Sequence, residues 1–140
     1  GRTIDEDALA QVVTRVRQET VWALVDALVD RNLSAALAAL HDAYDDRDRG
    51  LPLLGAIGAR VRQLIKLDSA LSRGLSPSAA AGEAGVPPFK AGELARLVRR
   101  LPARALPQWL LLIAEADLAL KGSRRPGSEV LATMLLEMCR

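Results

Sequence analysis

Apolar residues recur along this chain at intervals of three and four, the spacing that lines one face of an α-helix. No run alternates apolar and polar residues between hairpin turn residues, so strand pairs are not expected. The spacing predicts about eight helical segments. Ile4, Leu9, Val12, Val13 and Val16 mark the first, opened by Thr3-Ile4-Asp5-Glu6, whose hydroxyl and carboxylate can satisfy the backbone donors of a helix start. The second runs from about Thr20 to Arg31 on Val21, Leu24, Val25 and Leu28, with Trp22 alongside, and Asn32 breaks it. Ser34 is expected to cap a third helix holding Leu37, Leu40, His41 and Tyr44, which dissolves into Asp45-Asp46-Arg47-Asp48-Arg49-Gly50.

The fourth helix is the longest, from about Leu51 to Arg73, with Pro52 in its first turn and Gly74 as its stop. Leu54, Ile57, Val61, Leu64 and Leu71 form its stripe, which Asp68 interrupts. Ser76-Pro77 starts a short Ala-rich helix ending at Gly85. Pro87-Pro88-Phe89 leads into a sixth, whose Leu94, Leu97, Val98 and Leu101 oppose Arg96, Arg99 and Arg100. The seventh, about Pro102 to Lys121, carries Leu106, Trp109, Leu110, Ile113, Ala116 and Leu120 on one side. Leu111, Leu112 and Leu118 lie on the other. A helix apolar on both sides is expected to be covered on both, centrally in the fold or against another subunit. Gly122 to Ser128 reads as a flexible loop, and Ser128 as the cap of a last helix with Val130, Leu131, Met134, Leu135 and Met138. The fold class is therefore all-α, a single helical bundle. Leu54, Ile57, Val61, Leu64, Leu94, Leu97, Ile113 and Leu135 are its expected core.

Composition agrees with packed helices. Half of the 140 residues are hydrophobic but only 3% are aromatic, which leaves Leu, Ala, Val and Ile to fill the interior. The chain opens on Gly1 rather than Met, which suggests a piece of a longer protein. No apolar run approaches the ~20 residues of a membrane span, and no signal segment opens the chain, so a cytoplasmic protein is expected. Net charge is only +2 but unevenly spread. Residues 1–50 carry 6 Lys/Arg against 10 Asp/Glu, a balance of −4, and residues 51–140 carry 13 against 7, a balance of +6. Such asymmetry fits opposite-sign surfaces that meet in a partner, a basic face toward nucleic acid, or plain solvated helix faces.

Catalytic chemistry is hard to place. No Gly-rich loop ends in Gly-Lys-Ser/Thr, so no phosphate cradle is expected. His41, the sole histidine, sits among apolar residues and reads as structural. Cys139, the sole cysteine, reads as an inert, partly buried thiol without partners for a disulfide or a zinc cage. Glu115 and Asp117 are two apart and face different ways, whereas Asp117 and Lys121 form a favourable i,i+4 pair. Expected are no catalytic residues, no metal, no cofactor and no enzyme activity. Residues 76–101 have the outline of a helix-turn-helix, so a DNA-binding regulator stays open as a function. Against it stand the stiff Pro87-Pro88 connection and a second helix opening Phe89-Lys90-Ala91-Gly92, poor in residues that read bases. An unrelated helical protein-interaction module is the other alternative.

Five segments, in order, resemble the C-terminal collar domain of the delta subunit of the bacterial DNA polymerase III clamp loader. They are Val21-Trp22-Ala23-Leu24-Val25-Asp26-Ala27-Leu28 with the Ala/Leu helix after it, and the long helix with Arg60, Arg62, Leu64 and Lys66. Then come Ser76-Pro77 through Val86-Pro87-Pro88-Phe89-Lys90, Ala114-Glu115-Ala116-Asp117-Leu118-Ala119-Leu120-Lys121-Gly122, and a closing Leu-rich helix. The resemblance covers about residues 19–140, leaving 1–18 as the tail of a preceding lid domain or a linker. It implies a non-catalytic assembly domain that joins the other loader subunits (delta prime, gamma/tau) in a five-membered ring during DNA replication. The sliding clamp would be reached only through an N-terminal domain absent from this chain. Leu111, Leu112 and Leu118 become candidate subunit-interface residues. Arg124 and Arg125, in the loop that the family hangs toward primer-template DNA, become candidate DNA-facing residues. Some family members place a stacking aromatic there; this loop has none.

Overall fold

The computed structural model describes residues 18–140. The predicted first helix, its Thr3–Glu6 capping box and the lid-or-linker assignment lie outside the described residues. Among those described there are seven α-helices and no strand. In chain order they are α1 (residues 18–29), α2 (Leu33–Ala43), α3 (Leu51–Ser72), α4 (Pro77–Ala84), α5 (Ala91–Arg100), α6 (Ala105–Gly122) and α7 (Gly127–Met138). Short 3₁₀ turns at Asp46–Asp48 and Pro88–Lys90 join α2 to α3 and α4 to α5.

The long α3 is the hub, packed against α4, α5 and α6, while α7 lies against both α6 and α2. Ile57, Val61, Leu64 and Leu67 of α3 have no exposed surface. Their 3–4 spacing keeps them on one inward side for three turns. All eight expected core residues are buried, and Leu24, Leu28, Leu131 and Met138 join them. Ala36, Ala39, Ala70, Ala80, Ala81 and Ala84 fill much of the rest, letting helices approach closely. Replacing a central leucine such as Leu64 with Ala is worth about 2–5 kcal/mol in such a core.

The helix ends show which local signals hold. Ser76 caps α4, its hydroxyl accepting from Ala79 N at 3.2 Å, and Gly85 stops it in the left-handed region (φ 76°). Gly74 (φ 92°) closes α3 with Leu75 N donating to Ala70 O and Gly74 N to Leu71 O. The same two-bond closure ends α1, from Asn32 N to Ala27 O and from Arg31 N to Leu28 O, but here Arg31 takes the left-handed residue (φ 56°).

Several expectations are corrected. Asn32, not Ser34, caps α2, its side chain accepting from Ala35 N at 3.1 Å. That asparagine therefore closes one helix and opens the next. Leu37 and His41 face outward, and Tyr44 falls just beyond the helix. The inward stripe of α2 is instead Ala36, Ala39 and Leu40, so His41 is an exposed residue of the last turn. Ser128 caps nothing, because α7 starts one residue earlier at Gly127 behind an extended Pro126. A turn closed by Ala105 N to Pro102 O delays the start of α6 to Ala105.

Candidate assembly surface

Helix α6 divides its side chains sharply. Leu106, Trp109, Ile113, Ala116 and Leu120 are buried toward α3 and α7. Leu111 and Leu118 are 66% and 71% exposed. Pro107 and Ala114 are also exposed, and the four residues at spacings 4, 3 and 4 fall within about 60° of arc, a seam along the outer face. Gln108 and Glu115 border it on one side, and the Asp117–Lys121 ion pair (3.0 Å) on the other. Leu112 behaves differently. It is half-buried and packs against the core at the groove between α6 and α7. The helix is thus covered on one side by its own chain, while Leu111 and Leu118 present an apolar seam with a charged rim.

The segment after α6 is not a flexible loop. Gly122 is the last residue of α6 and Gly127 the first of α7, which leaves only residues 123–126 between them. Arg49 holds that turn. Its Nε donates to Leu120 O at 2.9 Å, and one terminal nitrogen donates to Arg125 O at 3.0 Å and Ser123 O at 3.4 Å. One guanidinium thereby meets carbonyls left over at the negative end of α6. Asp45 and Asp48 shape the chain that presents it, accepting from Arg47 N (2.9 Å) and Gly50 N (2.8 Å), with Arg49 and Gly50 both left-handed. Gly127 is required by contact: a Cβ there would lie 2.6 Å from both Arg49 O and Tyr44 Oη. Tyr44 donates to Asp46 Oδ1 at 3.1 Å and accepts from the Ser128 backbone. Burial and the Asp46 carboxylate raise its pKa above 10.0.

Arg124 and Arg125 are both exposed in this clamped turn, and an Arg125 terminal nitrogen lies 3.4 Å from Thr133 Oγ1. Arg125 also lines the groove between α6 and α7, with Leu112 and Glu115. Sequence reasoning missed Arg49, Tyr44 and Gly127. An acidic-basic run ending at Gly50 gave no hint that one of its arginines reaches the end of a helix some seventy residues later.

Elsewhere the chemistry is sparse. Among the described residues no three His, Cys, Asp or Glu side chains gather to hold a metal ion, and no helix is long and apolar enough to cross a membrane. Cys139 is half-buried, and burial pushes its thiol up. The segment 76–101 packs inward through Ala80, Ala81, Ala84, Leu94, Leu97 and Val98. The first turn of α5 offers only Gly92 and Glu93 outward, and the guanidinium of Arg99 is turned back to cap α3 at Leu71 O (3.2 Å).

The helical chain matches one family over nearly all of its described length. Residues 18–138 match the DNA polymerase III delta subunit, C-terminal domain. The chain belongs to that family. The delta C-terminal domain is non-catalytic. Its fold is similar to that of the Bacillus subtilis DNA clamp loader delta protein (YqeN), with a TM-score of 0.68 at 19% identity. That match covers 95% of this chain and 39% of the other, so the chain spans well under half the length of the protein it resembles. No curated protein sequence matches it.

Proposed function

We propose that this chain is the assembly domain through which a delta subunit joins the other clamp-loader subunits in a collar, serving the loading of the sliding clamp during DNA replication. The observation that carries the reading is the pair Leu111 and Leu118, exposed one heptad apart on α6 in a domain that matches the delta family. Two large apolar side chains on one outward stripe have no role inside the domain. A neighbouring helix laid along the seam would cover them and leave the charged rim in water. Leu112 serves the core beneath the seam, so Leu111 and Leu118 are the anchors. The partners on this reading are the remaining loader subunits, of delta prime and gamma/tau type, while contact with the sliding clamp belongs to parts of the subunit outside this chain.

The test is to replace Leu111 or Leu118 with Asp and follow folding and assembly separately. Because both residues are exposed, each variant should keep its helical spectrum and a stability within about 0.5 kcal/mol of the parent, read from thermal melting. Co-purification with the other loader subunits should be lost. A variant that still assembles, or that unfolds, refutes the assignment of this face.

A further inference from the structure

The Leu111–Leu118 seam borders a groove. Between α3 and α6 lies a cleft of about 440 Å³, in which Leu54, Gly55 and Gly58 of α3 face Leu110, Ile113 and Ala114 of α6. Leu51 and Asp117 stand at one end of it and Arg62 at the other, so it follows α3 for about three turns. On α6 the cleft and the seam are neighbours. Ala114 lines the first and belongs to the second, and Leu118 and Leu111 follow about 40° and 60° further round the helix. The seam is the outer edge of one wall of the groove.

Two features of the groove have no use inside the domain. Gly55 is exposed within α3, and a Cβ built on it would meet nothing within 4 Å. Glycine weakens a helix relative to alanine at such a position, and the packing of this chain does not call for it. What its bare backbone allows is a close approach from outside. Arg62 is exposed and makes no ion pair among the described residues. Its guanidinium lies across Gly58, where a Cβ would be 3.5 Å from one terminal nitrogen. Asp117, the other charged residue of the lining, is already paired with Lys121 at 3.0 Å. The one unanswered charge of an otherwise apolar groove is therefore positive.

We propose that one helix of a neighbouring clamp-loader subunit lies in the α3–α6 groove, covers Leu111 and Leu118 with its flank, and sets a carboxylate against Arg62. The groove walls are two helices whose lining residues recur at intervals of three and four, a surface that takes a third helix by apolar anchors at the same spacing. Gly55 lets that helix come nearer than any side chain there would. A lone guanidinium among apolar walls suits an apolar helix with a single Asp or Glu, and the match of charges fixes its register. It does not suit a polyanion, which would need several cations. The inference rests on the assembly reading of the α6 seam, and adds the face of α3 that takes part and the chemistry that the partner brings.

The experiment measures the affinity of the full-length subunit for the remaining loader subunits. Gly55→Leu fills the groove and leaves the seam as it is. It should keep the helical spectrum and the melting temperature, and weaken assembly on the order of tenfold or more. Arg62→Glu sets like charges together and should weaken assembly by a similar factor, while Arg62→Lys should keep most of the affinity. Parent-like assembly by either Gly55→Leu or Arg62→Glu overturns the proposal; if Gly55→Leu fails to fold, Arg62→Glu, at an exposed position, decides alone. A dimer of the subunit by itself that Gly55→Leu abolishes would give the groove to a second copy, and overturns it too. Leu118→Asp, run in parallel, tells the two readings apart. Lost assembly there beside parent-like groove variants leaves the seam standing and removes only the groove, whereas parent-like assembly by Leu118→Asp removes both.

Discussion

Gly127 occupies a place where a methyl group has no room. Its would-be Cβ meets the Arg49 carbonyl and the Tyr44 hydroxyl at 2.6 Å, and the first of these is backbone, which cannot turn aside. Gly127→Ala should therefore cost about 1–3 kcal/mol, read as a lowered denaturant midpoint with unchanged slope. Tyr44, the other side of that contact, makes stability depend on alkaline pH. Its folded-state pKa is raised, by burial first and then by the bond to Asp46. The stabilising contribution is present in full below the unfolded value of about 10 and is lost as pH climbs through the higher folded value. Melting temperature should fall from about pH 10 upward, and Tyr44→Phe should flatten that part of the profile. None of this was legible in the sequence. Gly127 looked like a source of flexibility, whereas its smallness serves a close approach by residues from the far end of α2.

At the scale of elements, caps were legible where the signal was complete and local. Ser76-Pro77 and Gly85 bracket α4 as read, and Gly74 stops α3. Ser34 and Ser128 each carried the right chemistry two residues past the cap position, because the helices begin behind Asn32 and Pro126. The C-terminus of α6 shows the limit of local reading. Its Leu120 carbonyl is met by Arg49, which also holds the carbonyl of Arg125 in the turn beyond. Arg49→Met should remove these charge-assisted bonds at a cost of about 1–3 kcal/mol and expose residues 123–126 to protease. Arg49→Lys keeps the charge but not the planar fork, and should recover only part of the loss.

Over the whole molecule, the seam on α6 and the aromatic turn at Phe89 lie on different sides of α3. The two exposed arginines of the α6–α7 turn belong at this scale as well. If they face primer-template DNA in an assembled loader, Arg124→Ala with Arg125→Ala should weaken binding at every sequence tested. The dependence of log affinity on log salt should become shallower by about 0.9 for each phosphate no longer neutralised. Affinity and slope both unchanged at two salt concentrations would leave these residues only a solvated turn. The sequence by itself determined the class of fold, the order of the helices and the core of α3, α5 and α6, because spacing of apolar residues is a property of neighbours in the chain. It also carried the likeness to the delta family, in short motifs kept in order. Only the tertiary structure decided that the second apolar side of α6 stays open at Leu111 and Leu118 while Leu112 turns inward. It alone brought Arg49 and Tyr44 to the end of α6. Periodicity says that a side chain faces one way; what stands there depends on segments far apart in sequence that meet only when the helices pack.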